Sequence, residues 1–348
     1  MKKYIYLLLF TLLLPSCMGS TNSDVFSSRA AGENNSSNSS ASSSAAVTEK
    51  LKITILNVGQ GDATFIESPE GKTLLIDGGK PGKGREVLLP FFKSKNISQP
   101  DLLLETHYDN DHIGAIPELI AGEDGVLNSS DDFIPKEGVW DRGAYPIDSA
   151  PAFGPYLDAV QNFRHSLMLG QKINLGNSLE ISIISLNGAV SEDSFVDLLS
   201  EGFYEKENSS CVGLLIRYKN FSYLSAGDLS GGGSPGGFET LDVESLLAEQ
   251  MQGVSALHAN HHGSSTSSND LYIQTLKPKV VLFNVGNFND YHHPDQSVLE
   301  RWKQSGAALY LTEKGAGGFV AGEQIVDGNI ELETDGEKMW VNGEECLF

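Results

Sequence analysis

Seven of the eight histidines of this 348-residue chain fall into two groups, and that bunching constrains the fold more than any compositional figure. His107 and His112 make up the first; His258, His261, His262, His292 and His293 make up the second; His165 stands apart. Histidines scattered through a core or over a surface would not bunch so. Each group lies where an apolar run of strand length gives way to a polar loop. The first reads Thr106-His107-Tyr108-Asp109-Asn110-Asp111-His112-Ile113-Gly114. Its two imidazoles and two carboxylates are the neutral nitrogen and anionic oxygen donors that a divalent cation takes. At the exit of a strand, His107 and Asp109 alternate and face one point, while Asp111 and His112 swing to a second. That geometry suits two metal ions roughly 3.5–4 Å apart that share a nucleophilic water.

Around these groups the chain alternates strands and short helices. Leu51–Leu56 and Ala63–Ile66 read as strands about a Gly59-Gln60-Gly61-Asp62 turn. Thr73–Ile76 is a third, stopped by Asp77-Gly78-Gly79, and Asp101–Thr106 has the length of a buried strand. Residues 121–165, rich in Gly, Asp and Pro, read as an irregular insertion, with Trp140 to Tyr156 a candidate lid and His165 in a helical context. Further strands are expected at Glu180–Ser185, Gly213–Tyr218, Ser222–Ala226, Lys279–Asn284 and Ala308–Thr312. Helices are expected at Leu246–Gln252 and Gln296–Gln304, and a hairpin about Asp335-Gly336 closes the chain.

Lys2 and Lys3 precede an apolar run, Tyr4–Leu14, and then Pro15-Ser16-Cys17. This resembles a bacterial lipobox, which implies a lipoprotein signal peptide over residues 1–17 and acylation of Cys17; the alternative is a plain signal peptide with an incidental cysteine. Residues 18–50 are rich in Ser and Asn and cannot offset their ordering entropy, so they read as a flexible tether. The folded domain is expected over 51–348, held to the cell envelope by the lipid, at the outer membrane or cell surface, with no transmembrane segment in the mature chain. Asp and Glu outnumber Lys and Arg 46 to 24, a net charge of −22. That balance argues against tight non-specific nucleic-acid binding, which is driven by counterion release from a basic surface.

The His-x-Asp-x-Asp-His run resembles the motif of metallo-β-lactamase-fold hydrolases, in the variant with Asp as the second ligand. Val58-Gly59-Gln60-Gly61-Asp62-Ala63, Leu75-Ile76-Asp77-Gly78-Gly79, Asn208 to Asp228, His261-His262-Gly263-Ser264 and Tyr291-His292-His293-Pro294 resemble, in order, the hydrolase domain of the ComEC competence family. The resemblance implies an αββα sandwich with metals at one edge, and hydrolysis by a hydroxide shared between two divalent ions, Zn or Mn. By family position His107 and Asp109 hold one ion, Asp111 and His112 the other, and Asp228 bridges both. His262 completes the second set and His261 contacts substrate, or the two exchange roles. Asp77 braces the metal loop, and Asn208 occupies the family's Asn-x-x-Ser position, with Cys211 in place of the serine. His293 is a candidate proton donor or phosphoryl contact, or a loop cap, while His165 and His258 read as structural. The family's usual third histidine before the bridging aspartate is missing. The implied substrates are phosphodiesters, nucleic acid or smaller. Alternatives are a phosphorylcholine-esterase-like surface esterase and a non-catalytic binding lipoprotein stapled by its metal.

Overall fold

Along Gly213–Tyr218, Leu214 and Ile216 turn to one side and Leu215 to the other, and all three are buried. A strand apolar on both faces needs a layer on each side of its sheet, and Thr73–Ile76 and Val280–Phe283 repeat the pattern. The computed structural model, which describes residues 50–144, 151–234 and 237–346, supplies those layers. One compact unit spans Ala46–Phe348. The expected leader, Cys17 and the tether up to residue 49 lie outside the described residues.

In chain order the strands begin with β1 (Leu51–Ile55), β2 (Thr64–Glu67), β3 (Thr73–Ile76), β4 (Leu102–Leu104), β5 (Val139–Asp141) and β6 (Arg164–Ser166). β7 (Lys172–Ile173), β8 (Glu180–Ser185), β9 (Ala189–Ser191), β10 (Ser194–Phe195) and β11 (Phe203–Tyr204) follow. Next come β12 (Gly213–Tyr218), β13 (Phe221–Ser225), β14 (Glu239–Thr240), β15 (Ala256–His258) and β16 (Val280–Phe283). β17 (Ala308–Leu311), β18 (Gln324–Ile325), β19 (Ile330–Thr334), β20 (Met339–Val341) and β21 (Glu344–Cys346) end the series. The helices are α1 (Leu89–Ser94), α2 (Asn110–Ile113), α3 (Ile116–Ile120) and α4 (Phe153–Val160), then α5 (Lys206–Ser209), α6 (Val243–Glu249), α7 (Asp270–Leu276) and α8 (Gln296–Gln304).

Among the described residues one sheet has nine strands in the order β21-β20-β19-β1-β2-β3-β4-β5-β6, antiparallel as far as β3 and parallel beyond it. The other has eight in the order β18-β17-β16-β15-β13-β12-β8-β7, parallel from β18 to β13 and antiparallel from there. Ile53, Leu74 and Ile76 meet Ile183, Leu214 and Leu282 in the core between the sheets. Leu75 and Leu103 face Phe92, Ile116 and Val160 on the helices outside the first sheet. Leu215 and Val281 face Leu247, Leu276 and Trp302 outside the second. The fold is an αββα sandwich of the metallo-β-lactamase type. Among the described residues no helix is long and apolar enough to cross a membrane.

Residues 121–138 run as turns and loop, as expected of an irregular segment; 145–150, within the candidate lid, lie outside the described residues, and 139–141, 153–160 and 164–166 correct the expectation by forming β5, α4 and β6. β5 and β6 continue the first sheet in parallel register, and α4 covers it. Trp140 lies in β5 with its ring 4.8 Å from that of His165 in β6, and Tyr156 is buried beside Tyr108. Neither forms a lid, and His165 sits in a strand, not a helix. The helix expected at 246–252 runs Val243–Glu249, because Asp242 accepts the Ser245 N–H and caps it earlier. The closing hairpin gains a third strand, β21.

The candidate donors leave the sheets at the C-terminal ends of strands, where parallel α/β sheets place their crevices. Asp77 follows β3, His107 to His112 follow β4, Asp228 follows β13, and His261 and His262 follow β15.

Candidate metal centre

Asp77 adopts a left-handed backbone (φ 58°) and turns its carboxylate inward. It accepts the Thr106 N–H at 2.8 Å, the Thr106 hydroxyl at 2.7 Å and His112 Nδ1 at 2.9 Å. A carboxylate at Nδ1 fixes the tautomer whose lone pair is on Nε2. The N–H groups of Gly78 and Gly79 both donate to the His112 carbonyl, and a Cβ on Gly78 would lie 2.7 Å from Ile116 Cδ1. At His262 the Nδ1 partner is the Asn284 carbonyl, at 3.0 Å, with Asp62 Oδ1 close by as an ion-pair partner at 3.1 Å. A Cβ on Gly61 would come within 2.5 Å of the Asp111 carbonyl, so glycine is needed there for the Asp62 turn to dock.

The Asp228 carboxylate divides between two groups of donors. Oδ1 is 3.2 Å from His112 Nε2 and 3.6 Å from His262 Nε2, and Asp111 Oδ2 is 3.6 Å from the same His262 nitrogen. Oδ2 is 3.6 Å from His261 Nε2 and 3.9 Å from His107 Nε2, and Asp109 Oδ2 is 3.6 Å from His107 Nε2. Donor atoms of His107, His112 and Asp228 lie within 4.8 Å of one another, as do those of Asp111, His112 and His262. His107 Nε2, His112 Nε2, His262 Nε2 and Asp228 Oδ1 are buried with no hydrogen-bond partner. Leaving such a group unsatisfied costs about 1–3 kcal/mol. A cation held among them satisfies all four at once, and the residues fit a divalent metal pair.

The electrostatics point the same way. Burial alone would raise the Asp228 carboxyl, but the imidazoles of His112, His262 and His261 pull it well below the carboxylate range. Burial disfavours charge on His112 and His262, yet the carboxylates around them, Asp228 foremost, push both imidazoles well above their ordinary value. The pocket is an anionic field that calls for positive charge at its centre.

His261 and His262 are consecutive left-handed residues, each at φ 51°, a strain of about 1–3 kcal/mol apiece. The bend sends their rings to opposite oxygens of Asp228, so His261 stands among the donors as well as beside the cleft. Asn208 is buried, with Nδ2 3.4 Å from the His261 ring nitrogens and an unpaired Oδ1. His293 is buried at the cleft wall, its ring 5.3 Å from that of His261. Burial and the His261 and His262 imidazoles push it down to about 3, so it is a neutral ring at pH 7, suited to hydrogen bonding and not to supplying a proton. The cleft itself holds about 730 Å³ and is lined by Lys206, Ser265, Thr266 and Tyr291 besides the donors.

His258 is buried 3.5 Å from Asp62, outside both donor groups, and Cys211 lies in the core with Ala226 and Leu215. Asp62 is the residue that sequence reasoning read as part of a turn and of a family motif, without a role at the site. Its signal was the Gly-Gln-Gly-Asp run, which is explained by docking against Asp111.

Residues 56–126 match the Metallo-beta-lactamase superfamily. ComE operon protein 3 of Bacillus subtilis is 29% identical over 279 residues, covering 76% of this chain and 32% of that protein. Recombination protein 2 of Haemophilus influenzae is 26% identical over 271 residues, covering 75% and 27%. The chain thus spans about a third of the length of these curated relatives. Among solved structures, a diphosphatase from the PhnP family aligns at a TM-score of 0.41 and 13% identity, over 82% of this chain and 98% of that one. With its mixed-sheet sandwich and His/Asp cluster, the chain carries a metallo-β-lactamase domain and is homologous to the ComEC-family competence proteins.

Proposed function

We propose that the chain is an envelope-anchored phosphodiesterase working through two divalent cations, Zn or Mn, around Asp228. The observation that carries this reading is the divided carboxylate, with Oδ1 facing His112 and His262 and Oδ2 facing His107 and His261. His107, Asp109 and His261 would hold one ion, and Asp111, His112 and His262 the other. Such a pair supplies an acidified water and positive charge for phosphoryl oxygens.

The protein's own groups do the orienting. Asp77 at His112 Nδ1, and the Asn284 carbonyl with Asp62 at His262 Nδ1, orient both rings so that Nε2 points to the cluster. Burial opposes charge on Asp111, but His262 and His112 hold its carboxyl below the carboxylate range, so it stays ionised as a donor that would help hold the second ion. His293 offers a neutral N–H to a substrate oxygen at the cleft wall. Asp109, Glu205 and Asp295 also line the cleft, and with the net charge of −22 they oppose a long polyanion. That acidic mouth favours short diesters over long nucleic acid, including ones with a cationic head group such as phosphorylcholine.

The test is hydrolysis of bis(p-nitrophenyl) phosphate by the full-length chain, stripped by chelator and resupplied with Mn²⁺, Zn²⁺ or Mg²⁺ separately. Turnover should need metal, and a folded Asp228→Ala variant should lose about 10³-fold or more, roughly 4 kcal/mol of transition-state stabilisation. A fully active Asp228→Ala protein would remove the bridging assignment. Folded, metal-loaded wild type inert on every diester tried would indicate a binding lipoprotein stapled by its ions.

A further inference from the structure

Tyr108 stands between the donor candidates His107 and Asp109, fully buried, and its contacts lead away from the cluster to a charged pair. Its N–H donates to Glu207 Oε1 at 2.8 Å. Glu207 also receives Arg142, Nε at 2.9 Å on Oε1 and Nη2 at 2.6 Å on Oε2. The Arg142 guanidinium lies 4.4 Å from the Tyr108 ring centroid. Asn187 holds this arginine in place, accepting from Nη1 at 3.2 Å and donating to its carbonyl at 2.9 Å. Glu207 belongs to α5 and immediately precedes Asn208, whose amide faces His261.

One ion pair thus ties together the loop after β4, the loop after β5 and α5. Both partners are desolvated: Arg142 is 2% exposed and Glu207 6%. A buried pair of this kind seldom adds net stability over apolar residues of the same volume, so core stability does not account for it. What a bidentate fork adds is a fixed geometry.

We propose that Arg142 and Glu207 are positioning residues for the metal centre. Through the Tyr108 N–H they set the separation of His107 from Asp109, and through the α5 backbone they set Asn208 against His261. The inference rests on the reading that His107, Asp109 and His261 hold a cation.

Two double variants of the full chain test it: Arg142→Met/Glu207→Gln and Arg142→Met/Glu207→Met. Neither leaves a lone buried charge, and they differ in whether residue 207 can still accept the Tyr108 N–H. Mn²⁺ binding is followed by calorimetry, and site geometry by the visible absorption of bound Co²⁺. The Gln double, which loses the fork but keeps an acceptor for the Tyr108 N–H, should bind about three- to fivefold more weakly at one site. The Met double should lose roughly 10–100-fold at one of two sites, with a shifted Co²⁺ band. Wild-type affinity and spectrum in a folded Met double overturn the proposal, and so does an equal loss in both doubles. Should the Met double not fold, Arg142→Lys keeps the charge without the fork; it should weaken one site and lower kcat with KM unchanged, and unaltered binding overturns the proposal. A wild type that takes up no Mn²⁺ or Co²⁺ instead removes the metal reading itself.

Discussion

A carboxylate lies behind His112 and another behind His262, so Asp77 and Asp62 bear on ligands they do not replace. Asp62→Asn and Asp77→Asn should each weaken Mn²⁺ binding about 10–100-fold, measured by equilibrium dialysis, with little loss of secondary structure. The Asp77 change should be the more damaging to stability, because Asp77 also accepts two hydrogen bonds from Thr106. At this scale the site was legible where residue chemistry is distinctive. Two histidines and two aspartates in one short run announce a cation. Arg142 and Glu207 were not legible, since each alone reads as an ordinary surface charge and only the fold buries them together. Asp62 falls between, visible as part of a motif and silent as to what it holds.

Helix α6 carries a charge problem of its own. Glu244 is fully buried and accepts Asn260 Nδ2 at 2.7 Å, the Ser268 N–H at 2.7 Å and the Asn269 N–H at 2.8 Å, bracing both ends of the segment that bears His261 and His262. Burial pushes its carboxyl up to about 7, from 4.5. The folded state therefore binds the proton more tightly than the unfolded chain, and Glu244 lowers stability progressively as pH rises from about 4.5 through about 7. Glu244→Gln cannot titrate, so urea unfolding should show the variant gaining on wild type over that interval by up to about 3 kcal/mol. A stability difference that stays constant between pH 4.5 and 8 would refute the assignment. Elements were read well where the run was long enough to show a period: Glu180–Ser185, Gly213–Tyr218 and Gln296–Gln304 fold with the bounds expected of them. β5 and β6 were missed because three residues between Gly- and Pro-bearing loops display no period, and only pairing with β4 makes them strands.

At the scale of the whole molecule, the metal should behave as part of the folding equilibrium. Ions bound by the native state alone add about 2.7 kcal/mol per site at a hundredfold excess over Kd, so chelation should lower the thermal midpoint and Mn²⁺ should restore it, as scanning calorimetry would show. The proposed lipid anchor is tested at this scale as well. Cys17→Ala should move the protein from the membrane fraction to the soluble one and abolish labelling by a radioactive fatty acid. The cluster takes His107 to His112 from the first sheet, and Asp228, His261 and His262 from the second. Neither half of the polypeptide carries both groups of donors. A nascent chain halted between β6 and β7 lacks Asp228, His261 and His262, so the complete donor set exists only once synthesis has passed His262 and the two runs have come together.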